Sequence, residues 1–148
     1  MTQGTGELLR LEIPAQPAFV GVARTVVTAV VTTVDGIADE RLEDLRIAVS
    51  EACTNAVEAH QADSVAQRVV LRCLVTDDVL EVRIEDSGGG FGPGDLDERS
   101  LNDPETMASE RGWGIQLIRA LVDDVAFDAD GDGTAVRLLM NRTVAVEA

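Results

Sequence analysis

The sequence predicts a single α/β domain. Three observations carry that expectation. Short stretches of strict apolar alternation recur along the chain, a long helix-period segment lies between them, and 148 residues with 45% apolar and 26% charged content can fill one hydrophobic core. No internal repeat, linker or composition shift divides residues 1–148, so one domain is expected over the whole length.

The elements follow in order. Residues 8–13 place Leu9, Leu11 and Ile13 on one face and Arg10 and Glu12 on the other, a first strand that Pro14 and Pro17 interrupt. From Ala18 to Val34 the apolar positions fit a largely buried helix, although its many β-branched residues lower helix propensity. Gly36 closes that segment, and Asp39 caps a second helix running to about His60, with Glu40 and Glu43 near its positive end. Residues 67–76 turn Val69, Leu71, Cys73 and Val75 to one side. After an Asp77-Asp78 turn, residues 79–86 do the same with Leu80, Val82 and Ile84, the pattern of a β-hairpin. Residues 87–111 hold Gly88, Gly89, Gly90, Gly92, Pro93, Gly94 and Pro104 with little periodicity, which reads as a mobile lid. A third helix is expected over Gly114–Val122 and a strand over Val125–Ala129. An Asp130-Gly131-Asp132-Gly133 turn then leads to a last strand facing Val136, Leu138 and Met140 inward.

Charge narrows the function. Twenty-seven acidic residues against 12 basic ones leave a net charge of −15, a field that repels phosphodiester backbones and anionic lipid. Direct nucleic-acid and membrane-surface binding are therefore not expected. A single nucleotide is compatible with such a surface, because backbone amides and a divalent cation can offset phosphate charge. The two cysteines, Cys53 and Cys73, fall in a helix and a strand pattern and read as small core residues. With no basic-then-apolar leader and no apolar run near the ~20 residues that span a bilayer, a cytoplasmic protein is expected.

Three constellations carry chemistry. On the second helix Glu51 and Asn55 stand four apart and so share a face, about a third of a turn from the apolar stripe of Leu42, Leu45, Val49, Ala52 and Ala56. The pair is expected to border the core without joining it. An amide oxygen suits Mg²⁺, and a carboxylate one turn away can take a proton from an attacking hydroxyl. At the end of the hairpin, Asp86 continues the inward face of Leu80, Val82 and Ile84 and begins Asp86-Ser87-Gly88-Gly89-Gly90. A carboxylate pointed inward needs a donor, such as the exocyclic amine of adenine. Arg111-Gly112-Trp113-Gly114 precedes the third helix, where glycines leave N–H groups free to meet an anion. Taken singly, each has an ordinary structural reading: a solvated polar strip, an acid capping a Gly-rich turn, and a tight loop.

Together and in this order the three resemble the GHKL or Bergerat ATP-binding superfamily, with an N-box at Glu51 and Asn55 and glycine boxes at Asp86–Gly90 and Gly112–Gly114. The resemblance covers nearly the whole chain. It implies a two-layer α/β sandwich with helices on one face of a mixed, mostly antiparallel sheet. It also implies ATP as ligand, Mg²⁺ on Asn55, adenine on Asp86, and phosphates among Gly88, Gly90, Gly112 and Gly114, with Arg111 in reach of the terminal ones. Thr134 matches a position where relatives place a hydroxyl near the base.

Among such relatives the chain is most similar to stand-alone anti-sigma factor serine/threonine kinases, since it shows neither a second transducing domain nor a phosphoacceptor helix pair. That resemblance implies a homodimer that binds a sigma factor and phosphorylates a small anti-anti-sigma protein of the STAS type, with Glu51 as catalytic base. The chain departs from its relatives in two places: Ala59 stands where they often carry His, with His60 one residue later, and Arg111 abuts Gly112 directly. Two other readings stay open: an ATP-dependent protein-binding module without phosphoryl transfer, and another GHKL ATPase or signalling kinase.

Overall fold

A computed structural model of the chain describes residues 6–60, 68–86, 110–130 and 133–143. The elements are β1 (Gly6–Pro14), a 3-10 turn (Pro17–Phe19), α1 (Val20–Val31), α2 (Asp39–His60), β2 (Arg68–Val75), β3 (Val79–Asp86), α3 (Glu110–Leu121), β4 (Asp124–Asp130) and β5 (Gly133–Asn141). The expected lid lies outside the described residues, except for residues 110 and 111, which belong to α3.

The five strands form one sheet in the order β1-β2-β3-β5-β4. Every neighbouring pair is antiparallel, so among the described residues the sheet is purely antiparallel where a mixed one was expected. The reason is topological. β3 and β4 run the same way, but β5 lies between them, so the connection through α3 joins strands that are not neighbours. All three helices pack on one face, α1 over β1 and β2, α2 over β2, β3 and β5, and α3 over β4, while α2 also contacts both other helices. The core lies between the layers. From the sheet come Ile13, Val69, Leu71, Cys73, Leu80, Val82, Ile84, Val136, Leu138 and Met140, all buried as the alternation predicts.

Burial overrides weak propensity in α1, where Ala23, Val27 and Val31 repeat every four residues and are buried. The helix ends at Val31 rather than Val34 because the next residues satisfy its carbonyls by tighter means. The Thr32 and Thr33 hydroxyls donate to Ala29 and Val30 carbonyls at 2.7 Å, and the Thr33 and Val34 N–H groups bond three residues back. Gly36 then takes φ 90°, and a Cβ there would sit 2.8 Å from the Thr143 carbonyl oxygen, so this turn accepts glycine alone.

The sheet's other face carries charge. Arg10, Arg72, Arg83 and Arg137 stand side by side across four strands. Such a row would repel itself. Acids offset it: Arg72 pairs with Glu7 at 3.1 Å, Arg83 and Arg137 each pair with Glu81 at 2.9 Å, and Glu85 bridges Arg72 and Arg83. Cys53 and Cys73 are fully buried, and desolvation pushes their thiols up to about 12 and about 11. Among the described residues no helix is long and apolar enough to cross a membrane.

Candidate nucleotide site

Two elements present the polar groups of the site from the layer interface. Asp86 ends β3 and is only 7% exposed, on the inward face of its strand as the alternation requires. Its backbone neighbour across β5 is Thr134, and across β2 it is Val69. The register thus sets the two sequence-singled residues Asp86 and Thr134 side by side at one end of the sheet. Thr134's side chain lies outside the described residues.

Asn55 corrects the sequence reading. Expected at the border of the core, it is 3% exposed, while Glu51 is half-buried. The helical wheel considers only the sheet side of α2, whereas α3 packs against the adjacent side and covers it. The contact is made at Gly114: a Cβ there would lie 2.8 Å from Glu51 Oε2, 3.3 Å from Asn55 Nδ2 and 3.7 Å from Asn55 Oδ1. Absence of a side chain at Gly114 is what lets α3 seat on the two polar residues of α2. The first and third constellations of the sequence therefore do not act at separate places: Glu51, Asn55 and Gly114 form one cluster.

A second correction concerns the start of α3. The helix was expected to start at Gly114, with Arg111 and Gly112 ahead of it, yet α3 begins at Glu110 and both glycines lie in its first turns. In a helix that starts there, the N–H groups without an intrahelical acceptor are those of its first residues, Arg111 and Gly112 among them. The Arg111 side chain, Gly88 and Gly90 lie outside the described residues. His60 is the last residue of α2. Nearer the start of α2, Asp44 pairs with Arg41 and Glu43 with Arg46 within the helix.

The donor set fits a magnesium nucleotide. Asn55 Nδ2 is buried with no hydrogen-bond partner among the described residues, a costly state that a bound polar group would relieve. Turning the amide over brings Oδ1 to the same place, so this end can meet a phosphate oxygen or a hard cation. Among the described residues no three His, Cys, Asp or Glu side chains cluster as a self-contained metal cage. Mg²⁺ does not require one, since it is commonly held by one or two protein oxygens together with phosphates and water.

Comparison with known proteins identifies the domain. The profile of the histidine kinase-like ATPase domain matches residues 13–140. The serine-protein kinase RsbW of Bacillus pumilus is 37% identical over 145 residues, covering 93% of this chain and 89% of that protein. The protein of the same name from Bacillus subtilis is 35% identical over 130 residues, 83% of this chain and 79% of the relative. That of Oceanobacillus iheyensis is 31% identical over 145 residues, 95% and 89% respectively. The matched span contains Glu51, Asn55, Asp86, Gly114 and Thr134, and the chain belongs to the histidine kinase-like ATPase domain family.

Proposed function

We propose that the chain is an ATP-dependent serine/threonine-protein kinase that also acts as an anti-sigma factor. In this reading it binds Mg-ATP, holds a sigma factor away from RNA polymerase, and phosphorylates a Ser or Thr of a small STAS-type anti-anti-sigma protein. The observation that carries the catalytic part is the seating of Gly114 on Glu51 and Asn55, which gathers a half-buried carboxylate, a buried amide nitrogen with no partner among the described residues, and a helix N-terminus. Relatives named serine-protein kinases over most of the chain support the choice of reaction. The sigma factor, the antagonist, a homodimeric state and a cytoplasmic location rest on the family resemblance.

The roles follow from chemistry. Asp86 accepts a hydrogen bond from the adenine amine, with Thr134 beside it. Free N–H groups at Arg111 and Gly112, the N-terminal turn of α3 near Gly114, and the segment holding Gly88 and Gly90 cradle the phosphates, with Arg111 adding charge. Asn55 would hold Mg²⁺, which when bound supplies neutralisation of the charge on the phosphate oxygens. Glu51 takes the proton of the substrate hydroxyl as its oxygen bonds to the γ-phosphorus and the bond to the bridging oxygen breaks, releasing ADP.

Calorimetric titration with Mg-ATP, followed by mass analysis of added antagonist, tests this. Asp86→Asn should weaken binding about tenfold or more, since it turns a charged acceptor into an amide. Glu51→Ala should retain binding and lose about a hundredfold or more in phosphorylation rate. Equal affinity in wild type and Asp86→Asn removes the adenine assignment, and normal phosphorylation by Glu51→Ala removes the base. Nucleotide binding by the wild type with no phosphate on any antagonist would instead mark a nucleotide-gated binding module.

A further inference from the structure

Arg41, far along α2 from Glu51, joins three elements through one guanidinium. Nη1 donates to Asp44 Oδ2 at 2.8 Å and to the carbonyl of Leu121, the last residue of α3, at 3.1 Å. Nη2 donates to Asp123 Oδ1 at 2.8 Å and lies 3.5 Å from Met140 Sδ on β5. Asp123 is itself fixed to β5, accepting from the Asn141 N–H at 2.7 Å and donating its own N–H to the Leu139 carbonyl at 3.0 Å. A guanidinium at this place satisfies a terminal carbonyl and opposes the negative end of the α3 dipole.

The consequence lies at the other end of α3. Its buried residues Ile115 and Ile118, with Val122 just beyond, hold the helix down, but apolar contact is non-directional and resists sliding along the axis poorly. At its C-terminal end Arg41 supplies a directional contact at Leu121, and at its N-terminal end Gly114 comes close to Glu51 and Asn55. A helix is stiff over about 10 Å, so displacement at Leu121 is carried to Gly114.

We propose that Arg41 is a positioning residue of the nucleotide site: by anchoring the C-terminal end of α3 to α2 and β5, it keeps the N-terminal turn of α3 seated on Glu51 and Asn55. The inference rests on the nucleotide reading above. It does not depend on phosphoryl transfer.

The test compares wild type, Arg41→Met, which keeps the stem and loses the donors, and Arg41→Lys, which keeps the charge and loses the fork. Each is measured at a temperature where its circular dichroism equals that of wild type, for Mg-ATP affinity by calorimetry and for amide exchange in the peptide covering α3. We expect Arg41→Met to raise the Mg-ATP Kd about tenfold and to speed exchange across α3 while the β2–β3 hairpin is unchanged, with Arg41→Lys falling between. A lower melting temperature with unchanged Kd and unchanged α3 exchange would overturn the proposal and leave Arg41 a general stabiliser. Should wild type bind no Mg-ATP, the nucleotide reading fails, whereas the exchange data still decide whether Arg41 anchors α3. If Arg41→Met does not fold, Asp123→Asn removes the ion pair while keeping an acceptor for the Asn141 N–H, and the same two readouts apply.

Discussion

At Gly114 a hydrogen in place of a methyl separates two outcomes that usually travel together, stability and activity. Alanine is a better helix former than glycine by about 1 kcal/mol, so Gly114→Ala on propensity alone would stabilise α3. The added Cβ would meet Glu51 Oε2 at 2.8 Å and Asn55 Nδ2 at 3.3 Å. The first is the far end of a flexible side chain and can swing away cheaply; the second must yield a few tenths of an ångström inside a buried contact. We therefore expect Gly114→Ala to melt within about 4 °C of wild type while losing about tenfold or more in phosphorylation rate, as Glu51 leaves its place. Melting curves and single-turnover assays check this, and an unchanged rate would mean that Glu51 can act from its displaced position. Cys53 and Cys73 give a simpler expectation. With thiols pushed up to about 12 and about 11 by burial, neither presents thiolate near neutral pH. Labelling by a thiol reagent at about pH 8 should proceed only as fast as the protein opens, and rapid labelling of the folded chain would show that the core admits solvent. The inward aim of Asp86 was legible from strand alternation. The burial of Asn55 was not, because the element that covers it comes from a distant part of the chain.

On the element scale, the β2–β3–β5 ladder shows how like charges in register are tolerated. Burial alone would raise Glu81, but hydrogen bonds and charge from Arg137 and Arg83 outweigh it and hold its carboxyl below the usual range. A depressed folded-state value means that the stabilisation is present above the unfolded carboxylate range and is lost as pH falls through the folded value. Glu81→Gln should thus lower the urea midpoint at neutral pH and flatten its decline between about pH 5 and about pH 3. An acid limb identical to wild type would show that Glu81 contributes nothing specific. Strand faces and the full extent of α2 could be read from periodicity alone, because each depends on residues close in sequence. Two things were not legible locally. Alternation tells which side of a strand is buried but not which strand lies beside it, so the insertion of β5 between β3 and β4 was invisible. The start of α3 was placed too late because glycines were taken to precede the helix, whereas packing of Gly114 on α2 rewards extending it through them.

For the whole molecule the dominant electrostatic fact is a net charge of −15 on 148 residues. Two effects of salt oppose each other. Screening weakens the favourable pairs of the sheet face and of α2, such as Arg137 with Glu81 and Arg41 with Asp123. It also relieves repulsion among the unpaired acids spread over the surface. Distance decides between them. The pairs are in contact, where screening acts least, and exposed ones contribute only about 0–1 kcal/mol each. The repulsions run over separations comparable to or beyond the Debye length of about 10 Å at 0.1 M, where screening acts most. Relief of repulsion should win, so the melting temperature should rise between about 20 mM and about 200 mM NaCl at neutral pH and level off beyond. At about pH 4, where carboxylates have begun to protonate, the rise should shrink. A melting temperature that falls with salt at neutral pH would reverse the argument. It would mean that the arginine row and its acids, rather than the acidic surface around them, dominate the electrostatic free energy of the fold.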